Sequence, residues 1–267
     1  MKKVAVLFSG GLDSTYLVWK NLQEGNIVYP IYVEIENNRV KTILEKNRTK
    51  LLYHEFSKEY NFKIHEITNL VNIGISLCHE NLGFKQLPIW ILSSLYAQSD
   101  EFDEIQIGYV SNDDAISYLD DIQKIYKSYQ PLILPSKQLL PLKFPLIKTK
   151  KWEMIRELPK QYNELIISCE NPRIIGSEEA AIIKYEPCCQ CVPCKSIIGS
   201  DYYETNNYPK NYHNPLLMRF ARQLRDIGTN FKIVDENGED YMKKMGCHEL
   251  AKIPIQTEID FYNLEEK

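Results

Sequence analysis

Lys3-Val4-Ala5-Val6-Leu7-Phe8-Ser9-Gly10-Gly11-Leu12-Asp13-Ser14-Thr15 is the stretch on which the reading of this chain turns. Lys3 to Phe8 is a short, valine-rich apolar run, the pattern of a buried strand. It ends at Ser9-Gly10-Gly11, where two glycines let the backbone turn sharply. Asp13-Ser14 then leads into Thr15 to Lys20, which reads as a helix. Strand, tight glycine turn and helix together make the opening unit of an α/β sheet.

Moving outward, Ile27 to Val33 reads as a second strand and Asn38 to Tyr60 has helical spacing of apolar residues. Lys63 to Ile67 reads as a third strand, Pro88 to Ser99 as a strongly apolar helix, and Ile105 to Gly108 as a fourth strand. Such alternation predicts a doubly wound, mostly parallel sheet covered on both faces. The second half changes character. Pro131 to Pro145 carries four prolines among leucines and reads as irregular chain. A helix is expected over Lys150 to Leu158, a strand over Leu165 to Ile167, and an amphipathic helix over Leu216 to Ile227. The division expected is an α/β domain over 1–160, a cysteine-rich segment over 161–200 and a mixed extension over 201–267.

Composition sets the class. The 267 residues are 44% hydrophobic and 25% charged, an ordinary globular balance. With 32 basic and 36 acidic residues the net charge is −4, which argues against a protein that lives by coating nucleic acid. No stretch approaches the run of about 18 apolar residues that a membrane helix needs. The apolar part of the N-terminus, Val4 to Phe8, is too short for a secretory signal. A cytoplasmic protein is expected.

A strand that ends in Ser-Gly-Gly-x-Asp-Ser and opens a helix has a direct use. Successive N–H groups of the turn and of the first helical residues converge on an anion, and the helix end adds positive partial charge. The Ser9 and Ser14 hydroxyls can donate to phosphate oxygens, and Asp13 can act through a magnesium ion. The alternative is a plain βα turn in which a Ser or Asp caps the helix. The length of the string at the end of the first strand favours a phosphate site.

Four of the seven cysteines fall within residues 188–194. Cys188, Cys191 and Cys194 form Cys-x-x-Cys-x-x-Cys, and Cys169 lies upstream in Ser168-Cys169-Glu170. Four thiolates suit a tetrahedral zinc ion, with an iron–sulfur cluster as the alternative. Cys189 stands beside Cys188 and competes with it for the role. Cys78 and Cys247 lack partner spacing and read as ordinary buried thiols.

Phe8 to Ser14 resembles the PP-loop of the N-type ATP pyrophosphatases; the Gly-Lys-Ser/Thr ending of a Walker loop is absent. The resemblance implies ATP cleavage between the α and β phosphates, with Phe8, Ser9, Gly10, Gly11, Leu12, Asp13, Ser14 and Thr15 around the phosphates. Loop and cysteines together resemble the QueC family of 7-cyano-7-deazaguanine synthases over about residues 1 to 200. Asp114-Ala115-Ile116-Ser117-Tyr118-Leu119-Asp120 is similar to the family's Asp-x-x-Gly-Tyr-Pro-Asp, and Thr149-Lys150 stands where the family has Thr-Lys. The family's Tyr-Gly-Gln and Val-Pro-Gly-Arg-Asn motifs are missing, with Val33-Glu34-Ile35-Glu36 and Phe84-Lys85-Gln86-Leu87-Pro88 in those regions.

The resemblance implies an ATP-dependent ligase using ATP with Mg2+ and one structural Zn2+ per chain. It would adenylate the carboxylate of 7-carboxy-7-deazaguanine and convert it with ammonia to the amide and then the nitrile. Asp13 and Lys150 would serve catalysis; Asp114, Tyr118 and Asp120 would hold the substrate; Cys169, Cys188, Cys191 and Cys194 would hold the metal. Because the middle motifs are altered, a paralogue that joins the activated deazaguanine to an amine of a protein or nucleic acid is a second reading. A non-catalytic nucleotide-binding scaffold and a sulfur-inserting tRNA enzyme are further ones. Arg219, Arg222 and Arg225 on the amphipathic helix read either as the solvated edge of a helix packed on the domain or as a docking surface, within residues 201–267, for a homodimer mate, a protein partner or a nucleic acid.

Overall fold

The computed structural model describes residues 1–35, 38–70, 87–110, 113, 118–132, 138–188, 191 and 193–194, with the backbone of Phe231–Val234 and Thr257–Asp260. Five strands, β1 (Lys3–Leu7), β2 (Ile27–Val33), β3 (Thr68–Leu70), β4 (Glu104–Gln106) and β5 (Leu142–Lys143), form one sheet. Their order is β3-β2-β1-β4-β5, and every pairing is parallel. The helices are α1 (Leu12–Gln23), α2 (Arg39–Glu59), α3 (Leu87–Tyr96), α4 (Leu119–Ser128), α5 (Lys151–Glu157) and α6 (Lys160–Asn163). An antiparallel hairpin, β6 (Arg173–Ile175) with β7 (Lys184–Glu186), follows, and β8 (Phe231–Val234) pairs parallel with β9 (Thr257–Asp260).

Alternation along β1 makes the fold doubly wound, because successive side chains point to opposite faces. Val4 and Val6 face a core with Leu17 of α1, Phe56 of α2, Met154 of α5 and Tyr162 of α6. Ala5 and Leu7 face a second core with Ile89 and Ile91 of α3 and Ile122 and Tyr126 of α4. Burial on both faces is why β1 is a continuous apolar run. At α2, the Asn38 side chain accepts hydrogen bonds from the Val40 and Lys41 amides at 3.0 and 3.3 Å, a local signal that starts the helix there.

Three expectations are corrected. The third strand begins at Thr68 rather than Lys63; only a single bridge, Val28 to Ile64, precedes it. Pro30 explains the shift. It has no N–H to give the neighbouring strand, so pairing breaks after Val28 and resumes at Ile31 opposite Thr68. The proline-rich segment holds a fifth strand, whose two residues are too few to show a period. Leu165 to Ile167 is not a strand; the Ile167 amide instead bonds the Gly10 carbonyl at 2.9 Å. The helix expected over 216–227 lies outside the described residues.

Leu17 is fully buried between sheet and helices, so Leu17→Ala is expected to lower stability by roughly 3 kcal/mol in denaturant unfolding. Phe62 is 87% exposed and holds a left-handed backbone (φ 68°). Phe62→Gly removes that strain and is expected to raise stability by about 0.5 to 1 kcal/mol in the same measurement.

Candidate functional site

Strand order reverses between β1 and β4, and the crevice beyond the strand ends at such a point is where open α/β sheets take ligands. The glycine turn occupies this position. Gly10 sits at φ 75°, a conformation that favours glycine, and a Cβ there would lie 3.3 Å from Thr49 Cγ2. The Ser9 amide donates to Ser14 Oγ at 3.3 Å, and Ser14 Oγ donates to the Gly11 carbonyl at 3.2 Å. The turn is thus closed by its own serines. Gly108, just past β4, packs so tightly that a Cβ would stand 3.1 Å from the Asp13 carbonyl carbon and oxygen.

Beside the turn opens a cleft of about 270 Å³. One cation of its lining is Lys151, the first residue of α5, with Nζ 3.0 Å from Asp13 Oδ2 and 3.9 Å from Asp113 Oδ1. Burial alone would lower the Lys151 pKa, but the two aspartates outweigh it and hold it above the ordinary lysine value. Asp113 is fixed by accepting the Val110 amide at 2.9 Å. The other Asp13 oxygen, Oδ1, is buried with no hydrogen-bond partner among the described residues.

A second charged group lines the cleft from α2. Lys41 Nζ lies 2.5 Å from Glu170 Oε2 and 3.7 Å from Glu45 Oε1, and Tyr32 Oη donates to Glu45 at 3.2 Å. Burial pushes the Glu45 carboxyl up to about 7, with Lys41 opposing the shift. The cleft's aromatic wall holds Trp90 and Tyr109, the latter stacked on Phe144 with ring centroids 5.8 Å apart.

The four sulfurs of Cys169, Cys188, Cys191 and Cys194 lie within 4.8 Å of one another. Cys169 and Cys194 are buried; Cys188 and Cys191 are half-buried. Backbone amides already point at sulfur: Cys188 N to Cys169 Sγ at 3.2 Å, Cys191 N to Cys188 Sγ at 3.3 Å, and Glu170 N to Cys191 Sγ at 3.4 Å. Such donors stabilise thiolates around a metal. Burial pushes the Cys169 thiol up, so a bound cation is what would keep it deprotonated.

Among the sequence-predicted residues, Ser9, Gly11, Leu12, Asp13 and Ser14 line the cleft. Phe8 and Thr15 are buried and, like Gly10, do not line it. Lys150 is the residue before α5; its amide donates to Glu153 at 2.9 Å, and its neighbour Lys151 enters the cleft instead. Tyr118 and Asp120 are exposed at the start of α4, outside the cleft lining, and Asp114 and Cys189 lie outside the described residues. Lys41, Glu45, Asp113 and Glu170 were not singled out as site residues by sequence. Of these, only Glu170 carried a signal, as the residue after Cys169.

Gly108→Ala is expected to weaken nucleotide binding at least tenfold while leaving the helical circular-dichroism signal unchanged, because its Cβ pushes on Asp13. Glu45 gives a pH prediction. A carboxyl raised to about 7 contributes its stability while protonated and loses it as pH rises through 7. Glu45→Gln is therefore expected to melt above the wild type by a few degrees at pH 8, with the gap closing at pH 5.

Residues 3–197 match the family described as "Queuosine biosynthesis protein QueC". No curated protein matches the chain. Among solved structures, the chain is similar to the U34-tRNA thiolase NcsA of Methanococcus maripaludis with its [4Fe-4S] cluster (16% identity, 96% of this chain and 74% of that one, TM-score 0.40). It is also similar to a predicted subunit of tRNA methyltransferase from Methanocaldococcus jannaschii (15% identity, 59% and 74%, TM-score 0.31). A third likeness is to NMN synthetase from Francisella tularensis (13% identity, 84% and 85%, TM-score 0.37). At these identities and scores the likenesses carry no functional argument. The family match spans most of the chain and includes both the glycine turn and the four clustered cysteines, so this protein belongs to the QueC family, whose members are ATP-utilising enzymes of the PP-loop superfamily.

Proposed function

We propose that this protein is an ATP-dependent ligase that adenylates the carboxylate of a 7-carboxy-7-deazaguanine and passes the acyl group to ammonia, giving the amide and, after a second activation, the nitrile. The observation that carries this reading is the serine-closed glycine turn with Lys151, Asp13 and Asp113 beside it, at the reversal of strand order.

The chemistry follows from leaving groups. A carboxylate oxygen leaves badly; attack of that oxygen on the α-phosphorus expels pyrophosphate and makes an acyl adenylate. The amine nitrogen then attacks the acyl carbon, AMP departs, and a proton is lost from nitrogen. The positive end of α1, with the Ser9 and Ser14 hydroxyls on the cleft lining, suits the negative charge that grows on pyrophosphate. Lys151 adds a full positive charge and is the lysine this reading assigns to the phosphates, in place of Lys150. The orphaned Asp13 Oδ1 suits a magnesium ion, which when bound neutralises phosphate charge. Trp90 and Tyr109 offer flat apolar surface for a heterocycle.

The reading assigns the four cysteines a single structural zinc. Zinc–sulfur bonds of about 2.3 Å set tetrahedral sulfurs roughly 3.8 Å apart, inside the 4.8 Å that spans all four here. A four-iron cluster seats each thiolate on a separate iron and spreads the sulfurs farther. Elemental analysis is expected to find one zinc per chain in a colourless protein, and Cys191→Ser to lose it.

The direct test is incubation with ATP, 7-carboxy-7-deazaguanine and ammonia. AMP and pyrophosphate formation that depends on the carboxylate, with the nitrile mass appearing, is the expected result; AMP formation indifferent to that carboxylate overturns the assignment. Lys151→Ala is expected to lower kcat about 100-fold and Lys150→Ala less than about threefold.

A further inference from the structure

Ser168, the residue before the buried Cys169, reaches the glycine turn. Its Oγ accepts the amide of Leu12, the first residue of α1, at 3.2 Å. That amide is one of the unpaired donors at a helix start, where an anion is received. Among the described residues this is the only hydrogen bond Ser168 makes, so its own hydroxyl proton has no acceptor there. The side chain lines the cleft. A hydroxyl that accepts from a helix amide and still holds a free proton relays the helix's donor capacity outward by one atom.

The segment carrying Ser168 is stitched to the turn on both sides. The Ile167 amide donates to the Gly10 carbonyl at 2.9 Å, and a Cβ on Gly11 would lie 3.3 Å from the Ile167 carbonyl oxygen. Beyond Ser168, Glu170 pairs with Lys41 at 2.5 Å and its carbonyl accepts the Asn38 side chain at 3.0 Å. Between these anchors the chain's other constraint is Cys169, whose sulfur belongs to the four-cysteine group. A metal ion there fixes the residue next to Ser168.

We propose that Ser168 is a phosphate-binding residue, donating its hydroxyl to the pyrophosphate end of a nucleoside triphosphate, and that through Cys169 it makes metal binding and triphosphate binding mutually reinforcing. The proposal rests on the reading of the turn as a nucleotide site. One charge-assisted hydrogen bond corresponds to about a tenfold change in affinity. Linkage requires that whatever factor metal contributes to triphosphate affinity, triphosphate returns to metal affinity.

The test uses the full chain with its metal and the non-hydrolysable analogue α,β-methylene-ATP, with affinities measured by calorimetry. Ser168→Ala is expected to keep full metal content, lose about tenfold in analogue affinity and change AMP affinity less than about twofold; Ser168→Thr is expected to restore the analogue. Saturating analogue is expected to slow metal removal by a chelator in the wild type and not in Ser168→Ala. Unchanged analogue affinity in Ser168→Ala, or an equal loss for AMP, overturns the proposal while leaving the nucleotide site standing. Chelation kinetics indifferent to the analogue in the wild type overturn the coupling. Failure of the wild type to bind the analogue at all overturns the nucleotide site and this proposal together.

Discussion

Backbone packed directly on backbone at Gly10 and Gly11 is the constraint that the remaining geometry obeys. The Gly10 carbonyl accepts the Ile167 amide, Gly11 abuts the Ile167 carbonyl, and Gly108 lies against the carbonyl of Asp13. Three remote segments, β1–α1, the end of β4 and the chain leading to Cys169, thereby meet at one turn. Side chains at these positions would separate them by a methyl group or more, and the cleft is the space left between their rims. The absence of Cβ atoms is what allows the close approach, more than any attraction between the segments.

Charge in the cleft is arranged in two separate groups. Lys151 serves Asp13 and Asp113 on the turn side, whereas Lys41 serves Glu45 and Glu170 on the α2 side. Each cation is nearly buried and faces two carboxylates, so the lining is net acidic before any ligand arrives. An anionic ligand in such a site needs accompanying cations, and Asp13 Oδ1 is buried there with no hydrogen-bond partner among the described residues. Buried charges of this kind cost desolvation energy, which a purely structural cleft would have little reason to bear.

The cysteine group lies close to this charge system. Glu170 follows Cys169 directly, and its side chain pairs with Lys41 while its amide points at Cys191 sulfur. Arg48 of α2, buried with its guanidinium donating to the Ile183 carbonyl at 2.7 Å and lying over the Tyr185 ring, ties α2 to the β7 side of the same region. α2 therefore touches the glycine turn through Thr49, the cleft through Lys41 and the β7 strand through Arg48. One helix carries all three.

Much of this architecture is written locally. The β1–turn–α1 unit, the exact span of β2 and the Asn38 cap of α2 follow from apolar runs, glycines and a capping side chain, each a signal within a few residues of what it specifies. The paired spacing of Cys188, Cys191 and Cys194 is of the same kind. What tertiary structure decided is which of two neighbours faces the cleft. Lys151 rather than Lys150 enters it because one is the first helical residue and the other precedes the helix, and a single step along a helix turns a side chain by about 100°. Asp113 joins the site through its bond to the Val110 amide, a contact that composition cannot reveal. Lys41 and Glu45 stand one helical turn apart on α2, and only the fold places them on the cleft. Sequence therefore determined the kinds of groups and the elements that carry them; the packing of distant backbones chose the individual atoms, because orientation depends on neighbours hundreds of bonds away.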